Sequence, residues 1–272
     1  MRPPRENQVL QIASIRSFLP TPSHPTFFVL LQQAKNRISR MGQPDLSEYP
    51  LCEFFIMGHL SRGDDPINFP SDQFPDLLGR YEKVFANALQ VLGLSKEALR
   101  RRSEFNFDSG DAANLESGIA MLRAVEALRM LNFNNIQLIT PMKGSSVADI
   151  SCDKNDQKVC CEVKAITKHS NGRQGLFLEE QLYERVLGSL SKARCQLEAS
   201  ASVLQCTVTI FVSVVNWFDQ SVYLNEENYQ SIVNRLEKDR DQESLEGIDG
   251  VLFITKMGQD FLFLNERGKC ID

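Results

Sequence analysis

Val147-Ala148-Asp149-Ile150, a polar turn, then Cys161-Glu162-Val163-Lys164-Ala165-Ile166-Thr167 is the stretch on which the reading of this chain turns. From Val159 to Ile166 the side chains alternate with period two, as they do across a sheet. Glu162 and Lys164 therefore leave one face of a strand, while Cys161, Val163 and Ala165 leave the other. Asp153-Lys154-Asn155-Asp156-Gln157-Lys158 is turn chemistry, rich in residues that tolerate tight backbone geometry. A hairpin folded there lays the strand holding Asp149 beside the strand holding Glu162 and Lys164. Both flanks are apolar, so the three charged groups stand at the edge of a core. A charge in that position is costly unless it is paired or bound to a cation.

The residue types define a chemistry. Magnesium prefers oxygen ligands, keeps several waters and takes one or two carboxylates together with a substrate phosphate. Asp149 and Glu162 supply such oxygens, and the main-chain carbonyl of Val163 is a further candidate ligand. A metal held there polarises a phosphate and acidifies water, and Lys164 stands where it can position the attacking water or balance developing negative charge.

Asp149, a spacer of hairpin length, then Glu162-Val163-Lys164 after a largely apolar helix resembles the PD-(D/E)XK nuclease superfamily, also called restriction-endonuclease-like. The resemblance covers roughly residues 111–218. Where the family pattern has Pro-Asp, this chain has Ala148-Asp149. The resemblance implies an α/β fold whose core runs helix, three mostly antiparallel strands, helix and a further strand, a mixed central sheet flanked by helices. The chain offers candidates in that order. Asp111 is a candidate N-cap for a buried helix over Leu115–Leu131. Ile136–Ile139 reads as a first strand, ahead of the hairpin. Leu178–Ala199 reads as an amphipathic helix with Leu182, Val186, Leu190, Ala193 and Leu197 along one side. Cys206–Val215 is a long β-branched run that suits a central strand. Val251–Ile254 and Phe261–Leu264 read as two more strands joined by a turn at Gly258.

The resemblance further implies magnesium-dependent hydrolysis of DNA phosphodiester bonds, endonucleolytic in type, with manganese able to substitute. A helix carboxylate completes such sites, and Glu116 is the candidate ahead of Glu126, whose neighbours Arg123 and Arg129 suit a surface ion-pair cluster. Family members carry a polar or basic residue on the second helix, for which Lys192 and Gln196 are the candidates. Lys168 and Arg173 are candidate phosphate contacts, against the ordinary reading of a solvated basic loop that also contains His169. Many nucleases of this fold act as homodimers. The rival reading keeps the fold as a non-catalytic nucleic-acid-binding or assembly module.

Residues 108–272 are thus expected to form the nuclease domain, and residues 1–107 a mainly helical extension. In that extension Phe27–Met41 carries apolar residues at helical spacing. Pro75–Leu92 does the same before Gly93, and Ser95 caps a short helix ending in Arg100-Arg101-Arg102. Tyr49–Leu60 is apolar without a clear period.

Composition bounds the rest. The chain has 272 residues, 42% hydrophobic and 24% charged, the balance of an ordinary globular protein. No run is long and apolar enough to span a bilayer, so a membrane partner is not expected. Seven cysteines with no Cys-x-x-Cys spacing point to reduced thiols in a cytoplasm rather than zinc or disulfides. A net charge of −5 argues against a general nucleic-acid coat protein but leaves a local basic cleft open. Phosphate-cradling glycine loops are absent, and the three histidines have no ligand spacing.

Overall fold

The computed structural model describes residues 74–103, 112–140, 147–166, 179–215, 226–239, 245–254, 259–269 and 271. The expected helix over Phe27–Met41, the stretch Tyr49–Leu60, the Gly258 turn and the loop with Lys168, His169 and Arg173 lie outside those residues. The chain divides into two units, Met1–Gly118 and Ile119–Asp272. The expected boundary at residue 107 lies outside the described residues.

In the first unit, α1 (Phe74–Leu92) buries Val84, Phe85 and Ala88. It stops at Gly93, whose φ of +60° is the left-handed conformation that glycine adopts without steric cost. Ser95 then caps α2 (Lys96–Arg102), its Oγ accepting from the Ala98 N–H at 3.2 Å.

The second unit is built on a six-stranded sheet, so the α/β class expected from the sequence holds. Helix α3 (Ala112–Met130) leads into it, and from Ile119 to Leu128 every side chain but Glu126 is buried. Its C-terminal end is closed by the hairpin, where Lys154 donates to the Leu131 carbonyl at 2.7 Å. The same ammonium lies 5.2 Å from the centre of the Phe133 ring. A cation there complements the negative end of the helix dipole.

Strands β1 (Asn134–Leu138), β2 (Ile150–Lys154) and β3 (Gln157–Ile166) pair antiparallel in order. Asn155 and Asp156 form the β2–β3 turn with φ of 48° and 61°. Two successive left-handed residues are the mark of the tight hairpin turn whose twist suits the strands, and Asn and Asp tolerate that conformation best after glycine. The turn is two residues long, tighter than the six-residue segment read from composition.

Helix α4 (Glu179–Leu204) crosses from β3 to β4 (Val208–Val215), which lies parallel to β3 from Val159–Val208 to Ile166–Val215. Helix α5 (Glu226–Lys238), β5 (Gly250–Ile254), β6 (Gln259–Phe263) and α6 (Glu266–Lys269) follow. β5 is parallel to β4, and β6 is antiparallel to β5. Neither α5 nor α6 is anticipated by the sequence reading. Among the described side chains of α5, Ile232, Val233 and Leu236 are buried; with Tyr229 they fall at i, i+3, i+4 and i+7, a helical period that the sequence reading passed over.

One face of the sheet is covered by α4. Leu182, Val186, Leu190, Ala193 and Leu197 pack with Cys160, Phe211, Val251 and Phe253, and the α5 stripe joins the same cluster. Burial of each leucine contributes roughly 1.5–3 kcal/mol. Glu162 and Lys164 follow Cys160 at period two and so rise from the sheet under this helix.

Candidate functional site

The site begins where β2 stops and β3 continues. The last regular pair is Ile150 with Cys161. One residue earlier the Asp149 N–H donates to the Cys161 carbonyl at 3.0 Å, and the Asp149 carbonyl accepts from the Ile139 N–H at 2.9 Å. The expectation that Asp149 lies within the strand is corrected by one residue: it is a bend immediately before β2. The reason is its own side chain. Asp149 Oδ2 accepts from the Val163 N–H at 2.8 Å, so a carboxylate replaces the ladder partner that β2 no longer provides. In a strand the N–H and C=O of one residue face the same edge. The Val163 carbonyl therefore projects along the edge where the Asp149 carboxylate stands.

Glu162 is fully buried. The sequence places it at the edge of a core, and α4 encloses it further. Its Oε1 accepts from Lys164 Nζ at 2.5 Å, which settles that the two side chains share a face. Oε2 is buried and has no hydrogen-bond partner among the described residues. Burial pushes the Glu162 carboxyl up to about 8, and the negative charge of Asp149 pushes in the same direction. The Lys164 ammonium and, more weakly, the Gln196 carboxamide oppose that rise without cancelling it. Two carboxylates thus repel each other in a place with little water, with one cation that only partly offsets them.

Lys164 Nζ also donates to Gln196 Oε1 at 3.2 Å, so Gln196 is the α4 candidate that reaches the centre. Lys192, one turn earlier on the same polar face, is exposed. Glu116 lies in α3 ahead of the division between units, and its side chain is outside the described part. Glu126 is half-buried in the later part of α3. Lys168 and Arg173 lie outside the described residues.

Two serines belong beside these residues and are not singled out by the sequence reading. Ser200, fully buried on α4, accepts from the Ala148 N–H at 2.5 Å and donates to the Gln196 carbonyl at 2.7 Å. Its signal lies in the apolar stripe: after Leu190, Ala193 and Leu197, the next position in step is a serine where a hydrophobe belongs. Ser213 is fully buried on β4 in register with Lys164, on the same sheet face, and its Oγ has no hydrogen-bond partner among the described residues. There the signal is a serine in the middle of an apolar, β-branched strand.

A divalent cation suits this donor set. Glu162 Oε2 is a buried oxygen with no hydrogen-bond partner among the described residues, Asp149 lies close enough to raise its pKa, and both are hard oxygen donors. Among the described residues no group of three or more His, Cys, Asp and Glu side chains is placed to hold a metal ion. Asp149, Glu162 and the Val163 carbonyl are the oxygen donors that could hold such an ion here. No helix of the described residues is long and apolar enough to cross a membrane. No protein-family model, no curated protein and no solved structure matches the chain.

Proposed function

We propose that this chain is a magnesium-dependent nuclease of the PD-(D/E)XK type that hydrolyses DNA phosphodiester bonds, with manganese able to substitute. The observation that carries the reading is Glu162: a fully buried carboxyl with one oxygen lacking a hydrogen-bond partner among the described residues, raised in pKa by burial and by Asp149. Burying a carboxyl in that state is expensive, and a hard dication supplies the partner it lacks. The order helix, three antiparallel strands, helix, parallel strand supports the restriction-endonuclease-like core.

Asp149, Glu162 and the Val163 carbonyl would hold the ion. When bound it supplies polarisation of the phosphate and a more acidic water. The remaining roles fall to side chains. Lys164 Nζ, already donating to Glu162 and Gln196, has a third proton with which to orient a water or meet charge on the phosphate oxygens. Gln196 keeps that ammonium over the carboxylates. Glu116 is the helix carboxylate of the same proposal. Lys168, Arg173 and Lys192 are offered as phosphate contacts. Two such centres would let both strands of a duplex be cut in one encounter, so a homodimer belongs to the same reading, as does a cytoplasmic setting.

The test is incubation of the purified protein with linear, circular, single-stranded and branched DNA, with Mg2+, Mn2+ or EDTA. Metal-dependent product that vanishes in Asp149→Ala and Glu162→Ala is expected. Cleavage unchanged in both variants would remove the catalytic assignment. Retention of DNA in EDTA with no product under any metal would favour the non-catalytic module.

A further inference from the structure

We infer that Ser200 is a positioning residue of this centre, the link by which helix α4 sets Asp149 relative to Glu162. The inference rests on the nuclease reading and adds to it a residue outside the motif. Its basis is a closed circuit of hydrogen bonds. Glu162 Oε1 accepts from Lys164 Nζ, which also donates to Gln196 Oε1. The Gln196 carbonyl accepts from Ser200 Oγ, and Ser200 Oγ accepts from the Ala148 N–H. The next residue, Asp149, accepts from the Val163 N–H, and Val163 adjoins Glu162. One turn of α4, Gln196 to Ser200, thus grips both ends of the centre, the ammonium by a side chain and the aspartate segment by a hydroxyl.

The Ala148 N–H explains why the grip is needed. Ala148 is 1% exposed, so its amide proton has no water to turn to. The pattern that this chain resembles has proline at that place, which carries no N–H. Alanine introduces a buried donor, and Ser200 is the acceptor that satisfies it. A serine hydroxyl has one proton; here it is committed to the Gln196 carbonyl, which turns a lone pair toward Ala148. Removing the hydroxyl leaves the amide to find another acceptor, and the segment can do so only by moving. Magnesium and manganese demand oxygen ligands within narrow limits, so a shift of even ~0.5 Å at Asp149 weakens binding.

The experiment compares wild type, Ser200→Ala and a control, Leu190→Ala, on the same buried stripe of α4. Mn2+ affinity is measured by titration calorimetry, and amide hydrogen exchange is measured without metal. Alanine is a strong helix former, so Ser200→Ala is expected to fold, as circular dichroism would verify. Its Mn2+ affinity should fall by about 10–100-fold, the range for outer-shell partners of metal ligands. Exchange at the Asp149 and Val163 amides should quicken by roughly tenfold or more, in line with a lost buried hydrogen bond. Leu190→Ala should lower the melting temperature yet leave Mn2+ affinity within about threefold of wild type, because cavity formation acts on stability rather than on this circuit. Wild-type affinity in Ser200→Ala, or an equal loss in Leu190→Ala, would overturn the positioning role alone. A wild-type chain that takes up no Mn2+ would overturn the nuclease reading and the positioning role together.

Discussion

Replacing Glu162 by glutamine tests the buried carboxyl directly. The side chain keeps its shape and an oxygen to accept from Lys164, but it no longer titrates. In the folded chain the carboxyl is raised from an ordinary 4.5 to about 8. At about 1.4 kcal/mol per tenfold change in proton affinity, the full difference comes to roughly 5 kcal/mol. The sign follows from proton counting. Between pH 4.5 and about 8 the folded state holds a proton that the unfolded state has released, so raising the pH favours unfolding. The stability at stake is present below pH 4.5, is about 3 kcal/mol lower by pH 7, and reaches its full loss above pH 8. Urea unfolding in EDTA at pH 5, 6, 7 and 8 should therefore show wild type losing stability relative to Glu162→Gln by roughly 3 kcal/mol or more across the series. Added Mg2+ at pH 8 should restore wild type by about 2.7 kcal/mol at a hundredfold excess over its dissociation constant, and should leave the variant unmoved. A wild-type-minus-variant difference that stays flat with pH would mean that Glu162 ionises like a surface carboxyl, and the physical case for a bound cation would go with it.

Lys164→Met, which keeps the chain length but removes the ammonium, should cut metal-dependent cleavage by roughly 10²–10³-fold with unchanged circular dichroism; rates within about twofold of wild type would remove Lys164 from the chemistry. Ser213→Ala should raise metal-free stability by about 1 kcal/mol, because the hydroxyl it removes is buried with no hydrogen-bond partner among the described residues. A drop in melting temperature instead would show that the hydroxyl is bonded. Lys154→Met should cost about 1 kcal/mol in urea unfolding through the lost cap on the Leu131 carbonyl, and no change would refute the capping role.

What the chain alone determined is local. The shared face of Glu162 and Lys164 follows from period two and is met by their contact. The turn at Asn155-Asp156, the stop at Gly93, the Ser95 cap and the apolar stripe of α4 are all carried by neighbours in sequence, whose geometry one element repeats. Strands β3 to β6 are legible for the same reason, and so is α5, whose Tyr229, Ile232, Val233 and Leu236 stand at helical spacing although the sequence reading passed over them.

The tertiary structure decided which of the marked residues meet. Gln196 and Lys192 lie one turn apart on one helix face, and only the seating of α4 over the sheet selects Gln196 for Lys164. Asp149 leaves the strand because β2 ends beside it, a consequence of where β3 runs on alone. Ser200 and Ala148 stand 52 positions apart, and no periodicity joins them. The hairpin motif therefore specified which charges are present. Packing under α4 determined how deeply Glu162 is buried, and so how far its pKa rises, because desolvation depends on what covers a group and not on its neighbours along the chain.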